Sequence, residues 1–447
     1  MLQSACSHQI VMIENSRPIL SERALLFPDN PIRGLEELAF QTRAKGIKVI
    51  PLNIGSPDTP TPEIVLSAVK RFVDKSMNVG YGPSSGDPEL ISRRSSFYKN
   101  KLNLDIGPEN ILITQGASEA LELAIFSVAN PGDEIVVVEP FFPNYKAIAE
   151  KFGVNMSGVT TRIGDGFHIV QTEESREESL ERIDKIISPK TKAILWSSPS
   201  NPTGAVYEKG ELELLYTIAN KHNLFLIADE VYRLLTFNEG VKSNGVVRSP
   251  SIFDIVPKSD RARVIGIDSS SKEISLCGGR VGYLIVDRSL SPTILKNASV
   301  RACPAVLSQE AVKEIVNVTP DYFSGNQEEL KRRRDFLHGE LSGMKNLGVS
   351  VSPNPPEGAF YIIADLGKRV SAEKFCKWLL TDFPNESDKN ETVLLTPMRM
   401  NTGGFYLDKN TGVSQIRIAY VRKMDELVRG MDILKSALEI YLRNEVS

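Results

Sequence analysis

Histidine and cysteine are scarce in this chain. Four of each occur in 447 residues, and no histidine stands near another. The cysteines, Cys6, Cys277, Cys303 and Cys376, form no CxxC pair. That spacing argues against a zinc site and a disulfide framework, so no metal is expected, and it fits a reducing compartment. An excess of one charge is also missing. Lys plus Arg number 53 and Asp plus Glu 56, a net −3, so nothing electrostatic favours nucleic acid or an anionic membrane as partner. No apolar run reaches the ~20 residues of a membrane span. The first thirty residues mix Glu14, Glu22 and Asp29 with Arg17 and Arg23, unlike a signal or transit peptide. Internal repeats, a GxGxxG fingerprint and a Walker sequence are absent too. The expectation is a cytoplasmic protein with a short N-terminal arm.

What is present is an alternation of short apolar runs and helical stretches from about residue 110 to 286. NILITQG (110–116), DEIVVVEP (133–140), KAILWSS (192–198), NLFLIADE (223–230) and RVIGID (263–268) read as strands. ASEALELAIFSVA (117–129) and KGELELLYTIANKHN (209–223) read as covering helices. Strands without polar alternation are buried on both faces, which implies an α/β fold with a mostly parallel sheet between helices. Beyond about 310 a long amphipathic helix (326–344) and strands at 358–366 and 414–421 suggest a smaller α+β domain, with loops at 352–358 and 384–391. The expected division is an arm at 1–30, an N-terminal part of the small domain at 31–70, a large domain at 71–315 and the rest of the small domain at 316–447.

Several stretches carry chemistry. In IDSSSKEISLCGGRVGY (267–283), Lys272 follows three serines and precedes Arg280 among glycines. Lysine forms imines with carbonyls when its amine is partly desolvated, and the hydroxyls with the Arg280 fork make a plausible anion site; an ordinary surface lysine is the alternative. TQGASEAL (114–121) turns from strand to helix, which offers free amides to an anion, or is simply a capped turn. Asp229 ends a buried strand, so its carboxylate needs a partner: a protonated pyridine nitrogen, or the amides of a following helix. Tyr232 stands three residues on. Asn201 in SSPSNPTG can donate to an oxyanion, Phe142 in EPFFPNY can stack on a heterocycle or fill core, and Arg417 in SQIRIAY needs a carboxylate, from substrate or from the protein.

Taken in order, PIRGLEELAFQTRAKG, LNIGSPDTPTP, YGPSSGDPEL, GASEAL, SNPTG, ADEVY, SSSK…GGRVGY and IRIAY resemble the class I/II aminotransferases, the pyridoxal-phosphate enzymes of fold type I. The resemblance implies a seven-stranded-type central sheet, pyridoxal phosphate as cofactor, and a homodimer acting on amino and 2-oxo acids. It makes Lys272 the Schiff-base lysine and proton shuttle, and Asp229 the partner of the ring nitrogen. Asn201 and Tyr232 reach the ring's phenolic oxygen, and Phe142 stacks on the ring. Gly116, Ala117, Ser118, Ser269, Ser271 and Arg280 bind phosphate. Tyr81 crosses to a neighbouring subunit's phosphate, and Arg417 takes the substrate α-carboxylate with Gly55 near it.

Ser270 and Gly279 depart from the family's usual apolar and bulky residues, and Phe142 replaces the tryptophan common in aspartate aminotransferases. SLCGGRVGY followed by VRACPAVLSQ is similar to the prokaryotic aspartate aminotransferase branch, which implies aspartate with 2-oxoglutarate. Alanine or aromatic substrates, or a C–S lyase on the same fold, are the alternatives. Arg301 is a candidate for the distal carboxylate, with a salt bridge at a subunit contact as its other reading.

Overall fold

The computed structural model describes residues 20–25, 27–75, 78–386 and 390–444, so most of the expected arm, residues 1–19, lies outside them. All five apolar runs become strands of one sheet: β2 (Ile111–Thr114), β3 (Glu134–Glu139), β5 (Thr191–Ser197), β6 (Phe225–Asp229) and β9 (Val264–Ser269). Two strands not read from the sequence complete it, β4 (Asn155–Thr160) and β10 (Gly282–Ile285), in the order β2-β10-β9-β6-β5-β3-β4. β4 sits at the edge, is mostly half-exposed, and reads Asn-Met-Ser-Gly-Val-Thr, so a continuous apolar run is not required of it. β2, β9 and β10 are buried along their whole length.

Pairing is parallel from β9 through β6, β5 and β3 to β4. β10 is antiparallel to both of its neighbours. The reason is the connection before it. Residues 270–281 hold only two short helical turns, Ser270–Glu273 and Cys277–Gly279, too little to carry the chain back along the sheet, so the next strand must reverse. Gly282 then pairs with Ser269 on one side and Thr114 on the other. This register brings the Lys272 segment against the start of the helix Ala117–Val128.

The C-terminal part holds the helix Pro320–Gly343 and an antiparallel sheet ordered β11-β12-β15-β14. Its strands are β11 (Ser350–Val351), β12 (Tyr361–Asp365), β14 (Thr396–Pro397) and β15 (Gln415–Ala419). β1 (Lys48–Pro51) runs parallel to β13 (Glu391–Leu394), joining the two ends of the sequence. β7 (Val241–Ser243) and β8 (Val246–Arg248) form a hairpin. The loop expected at 384–391 begins inside a helical turn, Phe383–Glu386, and ends on β13; residues 387–389 lie outside the described chain.

Candidate active site

In an open parallel sheet, ligands bind outside the carboxyl ends of the strands. Here those ends border a cavity of about 530 Å³. Asp229 is the last residue of β6, level with Ser197 of β5 and Ile267 of β9. Ser269 is the last residue of β9. Lys272 and Arg280 sit on the turn-bearing connection that follows, and Asn201 and Phe142 just past β5 and β3. All of these except Ile267 line the cavity, as do Ala117, Ser118, Gly55, Tyr232, Ser271 and Arg417.

The Lys272 amine donates to the Gly55 carbonyl at 2.6 Å and lies 3.5 Å from Cys277 Sγ. The Phe360 and Tyr232 rings flank it, with centroids 5.6 and 6.0 Å away. The amine is thus half-buried against apolar surface and faces the cavity. Opposite it, the helix Ala117–Val128 starts with no side chain capping its amides, and its N-cap Gly116 has φ 75°. Arg280 closes this corner. A Cβ on Gly116 would stand 2.5 Å from Arg280 Nη2, and a Cβ on Gly282 would collide with the Gly116 carbonyl carbon and the Ala117 nitrogen. Two glycines therefore keep open a cradle of free amides, one guanidinium and the Ser118 hydroxyl, which suits a phosphate.

Asp229 is buried and has no basic partner among the described residues. Its Oδ2 accepts from the Tyr145 hydroxyl at 2.6 Å. Burial pushes its carboxyl up to about 6, a rise that the Tyr145 hydrogen bond limits. No helix follows for it to cap, but its Oδ1 accepts from the Val231 amide of the turn that does, at 3.4 Å. Phe142 stands at the wall, edge-on to Tyr145 with centroids 5.8 Å apart.

Arg417 is completely buried. Nη1 donates to Asn201 Oδ1 at 2.7 Å and Nη2 to the Asn53 carbonyl at 2.5 Å, while Nε has no partner among the described residues. Its guanidinium lies over the Tyr361 ring at 4.3 Å. No carboxylate of the described chain pairs with it, so the internal salt bridge considered from sequence is not formed. Burial lowers its pKa, the mark of a cation short of a counter-charge. Tyr361 also meets the Tyr232 hydroxyl at 2.9 Å and packs directly on Gly55, where a Cβ would overlap its phenol.

Two candidates lie elsewhere. Tyr81 is 91% exposed and outside this cavity. Arg301 is committed within its own subunit: it pairs with Glu119 at 3.1 Å and donates to the carbonyls of Ala298, Ser84 and Ile113. It does not line the cavity of its own chain, and a salt bridge, the other reading offered for it, is formed there with Glu119.

Sequence reasoning missed Tyr145, Tyr361, Asn53 and Cys277. Tyr145 stood at the end of EPFFPNY, and only its contact with Asp229 distinguishes it. A buried ionic cluster behind the lysine was also missed. Arg94 donates to Glu273 at 2.6 Å and to Asp268 at 2.7 Å, and Asp268 also accepts from Tyr98 at 2.8 Å. Two of the departures from family pattern, Ser270 and Gly279, are accounted for here. Ser270 turns away from the cavity, 3.0 Å from Glu273 and 2.7 Å from the Tyr283 hydroxyl. Gly279 leaves room for Leu276, which a Cβ would strike.

This fold, with an amine and an anion cradle at the carboxyl edge of its sheet, is that of the pyridoxal-phosphate transferases of fold type I. The model of the family "Aminotransferase class I and II" matches residues 47–384. An aspartate aminotransferase of Thermotoga maritima is 30% identical over 412 residues, 91% of this chain and 97% of its own. A probable aspartate aminotransferase of Methanocaldococcus jannaschii is 30% identical over 397 residues, 87% and 93% of the two chains. A solved alanine aminotransferase from Pyrococcus furiosus superposes with a TM-score of 0.78 at 28% identity, covering 94% of this chain and 100% of that one. The chain belongs to the class I and II aminotransferases, enzymes that depend on pyridoxal phosphate.

Proposed function

We propose that this aminotransferase moves the amino group of aspartate to 2-oxoglutarate, with pyridoxal phosphate held in the cavity just described. One observation carries the reading: a fully buried arginine without a carboxylate of its own, Arg417, opens on the same cavity as the Lys272 amine. An amine that condenses with carbonyls, beside a cation waiting for a carboxylate, is a site for an amino acid.

The residues present fit the coenzyme. Gly116, Ala117, Ser118, Ser269, Ser271 and Arg280 would hold its phosphate. Asp229, buried and lacking a cation, would pair with its ring nitrogen. Phe142 would cover the ring face, and Asn201 and Tyr232 would reach the phenolic oxygen. Bound there, the coenzyme supplies the electron sink that lets an α-C–H bond ionise.

The chain's own groups do the rest. Arg417 grips the α-carboxylate, and Asn201 holds its fork in one orientation through the 2.7 Å bond. Lys272 takes the α-proton as general base and returns it as general acid. The Gly55 carbonyl, 2.6 Å away, keeps its amine on the cavity floor. The Tyr361 hydroxyl, 2.9 Å from that of Tyr232, fixes the Tyr232 phenol in place.

A homodimer belongs to this reading. Tyr81, Val79 and Val300 are exposed apolar side chains on two segments tied together where Ser84 donates to the Ala302 carbonyl at 2.6 Å. A second copy covering them would receive Tyr81 at its own phosphate site. We take 71–315 as the coenzyme-binding domain, 31–70 with 316–447 as the smaller one, and the cytoplasm as the compartment.

The test is to load purified protein with pyridoxal phosphate and add borohydride. Trapping should fall on Lys272 and vanish in Lys272→Ala. Aspartate should then shift the coenzyme absorbance and yield oxaloacetate. Release of pyruvate and ammonia from cystathionine, with no such shift, would assign a lyase instead.

A further inference from the structure

We infer that Arg33 reads the distal carboxylate of a dicarboxylic substrate, in the amino acid and in the 2-oxo acid alike. The inference rests on the reaction proposed at Lys272 and Arg417. Three arginines line the cavity, Arg33, Arg280 and Arg417. Arg280 belongs to the anion cradle and Arg417 to the α-carboxylate. Arg33 is the cation left over, and Arg301, the candidate from sequence, is spent on Glu119.

Among the described residues the Arg33 guanidinium has one partner, Glu36, at 3.3 Å. Both side chains are exposed, 65% and 36%. An exposed pair of this kind contributes little, because water screens both charges. Arg33 can therefore exchange Glu36 for a ligand carboxylate at little cost, and the new pair gains strength as the ligand displaces water from the cavity mouth.

The backbone that carries Arg33 is anchored on two sides of the site. The Ile32 carbonyl accepts from Asn53 Nδ2 at 2.9 Å, and the carbonyl of the same Asn53 accepts from Arg417 at 2.5 Å. Asn53 is buried, so a single fixed residue links the Arg33 segment to the Arg417 guanidinium. On the other side, Asn30 accepts from the Ile32 amide at 3.0 Å and donates to Asn144 at 3.1 Å. Asn144 lines the cavity beside Phe142. The segment thus bridges the α-carboxylate binder and the ring-stacking wall, where a substrate side chain must lie.

The experiment compares kcat/KM for aspartate, glutamate and alanine in the holoenzyme and three variants. Arg33→Gln should lower the aspartate-to-alanine ratio about tenfold, mainly through KM, as expected for losing one partly exposed charge pair. Arg33→Lys should restore most of that ratio. Glu36→Gln, which removes the competing carboxylate, should raise it a few-fold. An Arg33→Gln ratio equal to wild type, or a wild-type enzyme that prefers alanine, overturns the role of Arg33 and leaves the transaminase reading intact. A wild-type holoenzyme that converts none of the three amino acids overturns both.

Discussion

Tyr145→Phe tests how the site controls the charge on Asp229. The Tyr145 hydroxyl donates to Asp229 Oδ2 at 2.6 Å in a buried setting. Burial raises the Asp229 carboxyl from 3.8 to about 6, and the Tyr145 bond opposes that rise. A hydrogen bond to a charged group is worth about 1.5–3 kcal/mol, and 1.36 kcal/mol moves a pKa by one. Removing it should carry the carboxyl to roughly 7–8. The sign follows from proton binding. Between 3.8 and about 6 the folded, coenzyme-free protein holds a proton that the unfolded chain has released. Stability from this group is therefore lost as pH rises through that window, by about 3 kcal/mol once Asp229 is ionised. In Tyr145→Phe the loss should continue to roughly pH 7–8. On the proposed pairing of Asp229 with the coenzyme's ring nitrogen, coenzyme affinity should weaken below about pH 6 in the wild type and below roughly 7–8 in the variant. Thermal melts of the coenzyme-free protein and coenzyme titrations across pH 5–9 read both effects. The second ionisation of a phosphate, near 6, is common to both proteins and cancels in the comparison. Coincident midpoints for the two proteins would refute the assignment.

Two further outcomes are expected. Glu273→Gln removes one charge from the buried cluster with Arg94 and should cost about 3 kcal/mol in urea unfolding, whereas Arg94→Met should cost more, because it strips this cation from two buried carboxylates, Glu273 and Asp268. Gly282→Ala places a Cβ against the Gly116–Ala117 backbone; coenzyme affinity should drop about tenfold by titration, with far-UV circular dichroism retained.

The central sheet was readable because five of its strands are buried on both faces and so lack polar alternation. β4, at the edge, carries no such run; β10 does, as Gly-Tyr-Leu-Ile, but it lies directly behind the glycine-flanked Arg280 in a stretch read for its chemistry rather than as a strand. Lys272, Asp229 and Asn201 were readable as residue types at or just past strand ends, Arg417 as a charge inside an apolar strand, and the structure gathers them around one cavity. What decides their chemistry lies in pairings between distant parts of the chain. Tyr145 meets Asp229 from 84 residues away, and Arg94 reaches Glu273 across 179. In sequence Arg94 is one more basic residue in a charged helix, and nothing in VRACPAVLSQ reveals that Glu119 occupies Arg301. Arg33, within PIRGLEE, looks like an ordinary residue at a helix start until the fold turns it toward the cavity.

The pairing of β1 with β13 has a cost during synthesis. Lys48 waits for Glu391, an interval of roughly 20–70 s at the usual ~5–20 residues per second of translation. Throughout it, Val49 and Ile50, buried in the finished protein, emerge from the ribosome as an unpaired apolar edge. The sheet that carries Lys272 needs nothing beyond Ile285 and can form first. A ribosome stalled between the two would hold a half-built catalyst with an adhesive leading strand, a natural client for a chaperone.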